Sequence, residues 1–120
     1  MQDQNLPNTA TFTFDEYSLA AVAGSAHTLN LSNTRLQNCQ PLYYCDRIET
    51  LNIQQNLVSD IEHVLPLLQT MRCLRMLDLS ENPVTKTPKY RERVIMEGKM
   101  LMELDGKDVR QQDRKYLFAL

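Results

Sequence analysis

One spacing of apolar residues constrains this chain more than any other feature. The apolar residues of this spacing are Leu74, Leu77, Leu79 and Val84, and Asn82 lies between the last two. Leu77 and Leu79 are two residues apart, so in a short strand they share one buried face. Asn82 falls where the chain must turn out of that strand, and its amide can both donate and accept hydrogen bonds there. The spacing therefore predicts a strand with one apolar face, followed by a sharp turn that an asparagine stabilises.

The same spacing recurs upstream and, in a degenerate form, downstream. It fits Ile48 to Val58 without a gap, and Ala26 to Leu36 with Thr34 in the asparagine position. A fourth copy begins at Leu101 and breaks at Gly106. Successive copies are 22, 26 and 27 residues apart by subtraction, within the roughly 20–29 residues of a leucine-rich repeat. The equivalent leucines are Leu29, Leu51, Leu77 and Leu104.

These repeats predict an α/β leucine-rich repeat solenoid. Each coil of such a fold adds one strand to a short parallel sheet on the concave face, and helical or 3₁₀ turns return the chain along the convex side. Helical caps close the two ends. We expect a flexible lead-in at residues 1–11 and a single domain at 12–120. The domain divides into an N-terminal cap at 12–24, repeats at 26–47, 48–73 and 74–100, and a C-terminal cap at 101–120.

The return legs of the three repeats differ in their patterns. Apolar residues recur every three positions from Leu36 to Cys45, which favours a 3₁₀ or irregular leg. The second leg predicts a helix capped by Ser59, with Pro66 causing a bend or a break. In the third leg, Thr87 and Pro88 predict the cap and first turn of a helix.

Composition narrows the classes of function. The formal net charge of −2 provides no basic field for direct nucleic-acid binding. No apolar run approaches the roughly 18 residues of a membrane-spanning helix, so we expect no membrane partner. Three glycines form no phosphate-binding loop, and no nucleophile–base set stands out. We therefore expect no enzyme activity and no cofactor.

Three cysteines are expected to be small buried apolar residues in a reducing compartment. Cys39, Cys45 and Cys73 form no C-x-x-C pair, and the only histidines are His27 and His63. This set lacks the spacing of a zinc site, so no metal is expected.

Polar strand residues that point away from the core form a candidate docking strip. Stacked strands lie about 4.8 Å apart, so such side chains would form a continuous ladder that becomes acidic towards the C-terminus. The strip is either plain solvated surface or a docking site for a protein with a basic or amide-rich surface. The candidate partner-binding residues are Asn30, Ser32, Asn52, Gln54, Arg75, Asp78, Ser80, Glu81, Glu103 and Asp105.

A basic segment at residues 88–99 is a second candidate surface. Lys89, Arg91, Arg93 and Lys99 lie mainly outside the apolar face of the predicted helix. They form either a solvated helix face or a surface for an anionic partner, and the sequence leaves both interpretations open.

Two segments near the C-terminus resemble a known capping motif. They are residues 88–95 (PKYRERVI) and 101–107 (LMELDGK), with Arg114 beyond them. The motif is similar to that of intracellular leucine-rich repeat proteins of the protein-phosphatase-1-regulatory type, a group that includes axonemal dynein light chain 1 and several ciliary proteins. The chain differs from this group in having few repeats and in Thr34, which replaces the first asparagine.

The resemblance implies a non-catalytic protein-protein interaction module. The first expectation is a ciliary, axonemal or cytoskeletal scaffold subunit that binds a dynein- or tubulin-associated protein. The alternatives are a regulatory subunit that binds the catalytic subunit of protein phosphatase 1, and a nuclear or spliceosomal leucine-rich repeat adaptor. The expected location is the cytoplasm, in the axoneme of a cilium or flagellum or on the cytoskeleton. The chain would act as a monomeric module or as a subunit of a larger complex.

Overall fold

Six short strands lie side by side in one sheet. The structure, a computed structural model, describes residues 9–11 and 26–118, and the N-terminal cap predicted at 12–24 lies outside them. Strand order follows the chain, with five parallel strands and an antiparallel sixth. The strands are β1 (Thr9–Thr11), β2 (Thr28–Asn30), β3 (Thr50–Asn52), β4 (Met76–Asp78), β5 (Glu103–Leu104) and β6 (Lys107–Asp108). The α/β leucine-rich repeat fold is thereby confirmed.

Helical segments connect the strands from β2 to β5 on the other side of the core. The connection between β2 and β3 is the 3₁₀ helix that the period of three favours. None of the helices within the described ranges has the length and apolar character needed to cross a membrane. In chain order they are a 3₁₀ helix at Gln40–Tyr44, α1 (Ile61–Thr70), a 3₁₀ helix at Pro83–Lys86, α2 (Tyr90–Glu97) and α3 (Gln111–Phe118).

The repeat leucines pair in register across the parallel strands. Leu29 faces Leu51, Leu51 faces Leu77, and Leu77 faces Leu104. All four are at most 2% exposed. The next inward positions continue the ladder, since the Leu31 and Ile53 N–H groups donate to strand carbonyls at 2.8 and 3.0 Å. The single core predicted from the spacing is therefore present.

Asn56 hydrogen-bonds the turns of two neighbouring coils. Its Oδ1 accepts from the Thr34 and Leu36 N–H groups at 2.9 and 2.8 Å. Its Nδ2 donates to three carbonyls, two of them those of Leu31 and Ile53, at 2.9 and 3.0 Å. The side chain is only 4% exposed, so water cannot replace these bonds.

Asn82 repeats this arrangement one coil further along. Its Oδ1 accepts from the Val58 N–H at 3.0 Å, and its Nδ2 donates to the Ile53 and Leu79 carbonyls at 2.8 and 3.0 Å. In the first coil, the Thr34 hydroxyl donates to the Leu31 carbonyl at 2.8 Å. Thr34 thus supplies the local bond that asparagine makes in the later coils.

Two predicted helix starts were wrong. Asp60, not Ser59, caps α1, because its carboxylate accepts from the Glu62 N–H at 2.9 Å. Helix α1 then continues through Pro66 without a break. The third return leg begins with an unforeseen 3₁₀ helix at Pro83–Lys86, and α2 starts only after Lys89, whose φ is 59°. Thr87 ends the 3₁₀ helix instead of capping α2.

Both ends of the described sheet have an added strand. Thr9–Thr11 pairs parallel to β2 although it lies in the predicted flexible lead-in, because the open edge of β2 offers backbone groups that another strand can satisfy. At the other end, Asp105 and Gly106 reverse the chain into β6. The sheet therefore extends beyond the repeats themselves.

Two arginines close the C-terminal end of the core. Arg91 donates to the carbonyls of Leu104 and Asp108 at 3.2 and 3.0 Å. Arg114, on α3, donates to three main-chain carbonyls at 2.8, 2.9 and 2.6 Å. A planar guanidinium with several N–H donors can satisfy carbonyls that the next coil would otherwise pair.

Replacing Asn56 with alanine should destabilise the domain by about 3 kcal/mol, because buried donors and acceptors lose their partners. Chemical denaturation measures the loss. Asn38→Ala is the control, since Asn38 is exposed and its bonds reach only Gln40; it should cost no more than about 1 kcal/mol. Equal effects of the two substitutions would contradict a special role for the buried amide.

Arg114→Lys should destabilise the C-terminal cap by about 2 kcal/mol, since one ammonium cannot reproduce the forked contact with three carbonyls. Amide hydrogen exchange should become faster at β5 and β6. Arg110→Lys provides the comparison, because the Arg110 side chain is 70% exposed. Unchanged exchange in the Arg114 variant would show that the three carbonyls do not depend on this side chain.

Candidate protein-docking surface

The outward side chains of β2 to β5 form two columns across the sheet. Strand register aligns the residues of each column, and the carbonyl of Leu77 accepts from the Asp105 N–H at 2.9 Å, which brings Asp105 beside Asp78. The predicted strip is therefore one continuous surface. The first column contains Thr28, Thr50, Met76 and Glu103, and the second contains Asn30, Asn52, Asp78 and Asp105.

Side chains of the second column also form hydrogen bonds within the protein and so help to stabilise the fold. Asn30, Asn52 and Asp78 each accept a hydrogen bond at 3.0 Å from the backbone N–H two residues further on. Gln54 also donates from its Nε2 to the Asp78 Oδ2 at 2.7 Å. These side chains close the strand ends and link neighbouring coils, so a partner would meet a rigid polar surface.

Asp105 is held more firmly than the other predicted site residues. Its Oδ1 accepts from the Leu79 N–H at 2.6 Å and its Oδ2 from the Tyr90 hydroxyl at 2.8 Å. Burial raises the pKa of the Asp105 carboxyl above its ordinary 3.8, and the nearby Asp78 carboxylate acts in the same direction. The two hydrogen bonds and Arg91 oppose this rise. Asp105, which follows β5, therefore connects the end of β4 to α2.

Other predicted residues remain available to a partner. Arg75 and Glu81 are exposed and Glu103 is half-buried. The structure gives their side chains no hydrogen bond or ion pair within the described residues. We define the strip as the ten predicted residues, and its C-terminal half contains more carboxylates than cations.

Two exposed methionines adjoin the strip and are not among the ten predicted residues. Met76 is 38% exposed and its sulfur accepts from the Thr50 hydroxyl at 3.7 Å, while Met102 is 57% exposed. Met76 pairs with Glu103 in the register of β4 and β5. Methionine is flexible and polarisable, which suits variable apolar contacts. An apolar residue at an outward position of the repeat is the sequence signal that identifies Met76.

Two of the four cations in the basic segment 88–99 are already bound to other groups of the protein. Arg91 contacts main-chain carbonyls, and Arg93 forms an ion pair with Glu62 at 3.0 Å. Lys89 and Lys99 remain exposed but lie at opposite ends of α2. The four cations therefore form no continuous patch.

The cysteines divide into two buried thiols and an exposed one. Burial raises the pKa of Cys39 to about 12 and that of Cys45 to about 11, so both thiols stay protonated and unreactive at neutral pH. Cys73 is exposed, which corrects the expectation that all three are buried. No group of three or more His, Cys, Asp or Glu side chains suited to a metal ion occurs in the part of the chain that the structure describes.

Comparison with known proteins identifies the class. The sequence profile of the leucine-rich repeat family matches residues 26–118, and the chain belongs to this family. It is also similar to dynein axonemal assembly factor 1. The Peromyscus polionotus protein is 43% identical over 76 residues, which are 62% of this chain and 12% of that protein. The Mus musculus protein is 44% identical over 71 residues, which are 58% and 11% of the two chains.

A more distant homolog of the same assembly factor comes from Anopheles gambiae. It is 39% identical over 71 residues, which are 58% of this chain and 8% of that protein. The chain thus spans about a tenth of the length of these curated relatives.

Solved structures share the fold at lower sequence identity. The leucine-rich repeat domain of Mex67 from Chaetomium thermophilum has a TM-score of 0.73 at 19% identity, covering 90% of this chain and 87% of that one. A chain in the Drosophila melanogaster SNF/U2A′ complex has a TM-score of 0.61 at 20% identity, covering 93% and 77%. Identities this low establish a common architecture only.

Asp105→Asn should change how stability depends on pH. A folded-state pKa above the unfolded one means that the folded chain loses stability as pH rises through the raised pKa. Asparagine does not titrate, so the variant's free energy of unfolding relative to wild type should increase from about pH 3 to about pH 7. Denaturation at several pH values measures this trend.

Asp46→Asn, at an exposed site outside the strip, controls for the loss of one carboxylate. A relative stability of the Asp105 variant that is flat or decreasing over this pH range would contradict the effect of burial on Asp105.

Proposed function

We propose that this chain is a non-catalytic interaction module that works in the assembly or scaffolding of axonemal dynein, and that the strip binds its protein partner. The observation that carries the proposal is the outward surface of β4 and β5, where Arg75, Met76, Glu81 and Glu103 have accessible side chains. The 43–44% identity to dynein axonemal assembly factor 1 supports the axonemal context. The cytoplasm and the ciliary axoneme are the corresponding locations.

The surface on β4 and β5 favours a partner of particular chemistry. Asp78, Glu81 and Glu103 outnumber the one cation, Arg75, and Met76 lies among them. Such a surface suits a partner with lysines or arginines around one apolar side chain, because opposite charges orient the encounter and the apolar contact adds affinity. We propose a basic surface on a dynein- or tubulin-associated protein.

The phosphatase alternative has a sequence basis of its own. The order of the motifs in residues 82–95 and 101–107 resembles that of protein phosphatase 1 regulatory subunit 42, and such a subunit would bind the phosphatase catalytic subunit. The spliceosomal alternative has only the shared fold of the SNF/U2A′ complex behind it. The dynein-related proposal is preferred because the relatives with the stated sequence identities are dynein assembly factors.

Charge reversal tests the strip directly. The tagged chain is recovered from a lysate of ciliated cells, and the co-purified proteins are quantified by mass spectrometry. Dynein- or tubulin-associated proteins should accompany the wild-type chain, and the double variant Glu81→Lys with Glu103→Lys should recover about tenfold less of them. Asp78 is left unchanged because it hydrogen-bonds Ser80 and Gln54.

Glu92→Lys is the matched control, since Glu92 is exposed on α2 and lies outside the strip. It should leave recovery unchanged. Equal recovery by the double variant would exclude the strip as the binding surface. Recovery of phosphatase catalytic subunit or of small nuclear ribonucleoproteins in place of dynein-related proteins would favour the corresponding alternative.

A further inference from the structure

A groove lies at the edge of the sheet where the strands begin, between the C-terminal ends of α1 and α2. Its volume is about 320 Å³, at the lower end of the roughly 300–1,000 Å³ of small-molecule pockets. The floor is closed where Leu68 packs against Gly98; a Cβ on Gly98 would lie 3.1 Å from the Leu68 Cδ2. The groove therefore has room for one large side chain and its immediate neighbours.

The walls of the groove combine apolar and cationic groups. Met71 and Leu74 are buried, whereas Met100 is 55% exposed at the rim. Arg72 and Lys99 line the same groove and are exposed. The rim thus has an accessible apolar side chain next to two positive charges.

The two cations occupy equivalent positions in successive coils. Each follows a helix end in the same kind of turn, in which the Leu74 N–H donates to the Met71 carbonyl at 3.1 Å and the Leu101 N–H to the Gly98 carbonyl at 3.0 Å. Arg72 and Lys99 directly follow those carbonyl residues. The fold therefore stacks their positive charges on one edge.

The one carboxylate of the groove, Glu97, forms no ion pair with either cation within the described residues. The Glu97 Oε2 accepts from the Gln69 Nε2 at 2.6 Å, a bond that connects α2 to α1. Neither Arg72 nor Lys99 forms an ion pair with any residue in the ranges 9–11 and 26–118. The rim is consequently cationic, whereas the strand-end side of β4 and β5 carries the carboxylates of Asp78 and Glu81.

We propose that this groove is a second docking site, which takes an acidic segment of a protein partner. One apolar side chain of that segment enters between Met100 and Leu74, and flanking carboxylates pair with Arg72 and Lys99. Complementary charge and a desolvated apolar anchor are the two features that concentrate binding energy in protein interfaces. The groove shares no residue with the strip and attracts the opposite charge.

Methionine methyl NMR can test this proposal, because the chain has six methionines and two of them line the groove. Three synthetic peptides serve as probes: a leucine flanked by aspartates and glutamates, the same peptide with alanine in place of leucine, and the leucine peptide with lysine flanks. The acidic leucine peptide should bind saturably and shift the Met71 and Met100 methyl signals, with the Met76 signal unchanged. The other two peptides should bind at least about tenfold more weakly.

Variants separate the groove from general surface effects. Lys99→Glu and Met100→Glu should each weaken the acidic leucine peptide by about tenfold or more. Met96→Glu is the matched control, since Met96 is 42% exposed and does not line the groove; it should leave affinity unchanged. Circular dichroism confirms that each variant is folded before it is compared.

Several results would overturn the proposal. They are equal or tighter binding of the lysine-flanked peptide, shifts centred on Met76, weakening by Met96→Glu equal to that by Met100→Glu, and no saturable binding of any peptide. The outcome is independent of the strip, because the Glu81 and Glu103 variants leave every residue of the groove unchanged.

Discussion

Strand ends that turn inside a protein leave backbone N–H and carbonyl groups that water cannot reach, and the whole array depends on pairing them. Asn56 and Asn82 provide the pairing, each with an amide that accepts from and donates to the backbone of the preceding coil and also donates within its own coil. Because one side chain thus satisfies backbone groups of two coils, neither coil is satisfied alone. The buried leucines supply most of the favourable burial, but the asparagines fix the distance and register at which those leucines meet.

The same requirement explains how the described array ends. Thr34 makes the local bond of an asparagine, and its other hydrogen bonds within the described residues reach Asn56 of the following coil. At the other end, Arg91 and Arg114 donate to carbonyls that would otherwise face another coil. The two proposed docking surfaces, the outward face of the strands and the edge where the strands begin, are both surfaces that the stacking does not use.

The sequence predicts periodic features of this protein well and local ones poorly. The spacing of the repeat leucines predicts their register correctly, as the pairing of Leu29, Leu51, Leu77 and Leu104 shows. The reason is that each strand is followed by a turn at a fixed position, which leaves little freedom in how neighbouring strands pair. Helix starts were less predictable. Ser59 and Asp60 are both good capping residues, and only the path of the chain into α1 decides between them.

The candidate docking surface was likewise predictable in its periodic features but not in its local contacts. Alternation along the strands correctly placed Asp78 and Glu103 on the outward face, since successive strand residues point to opposite sides. It did not reveal that Asp105 would be tied to Leu79 and Tyr90, because those contacts join separate segments. The groove was not foreseen either, as it depends on where α1 and α2 end relative to each other.

The reversal at Asp105 and Gly106 has a consequence for how such a protein can grow. Their φ angles are 53° and 81°, and after them β6 runs against every other strand. A new coil cannot be stacked on that terminus, because the parallel edge it would need is already occupied. At this end of the sheet, an additional coil is accommodated only between existing neighbours, such as those that Asn82 joins. A longer descendant that adds coils near this end would therefore gain them ahead of the terminal hairpin and keep the hairpin unchanged.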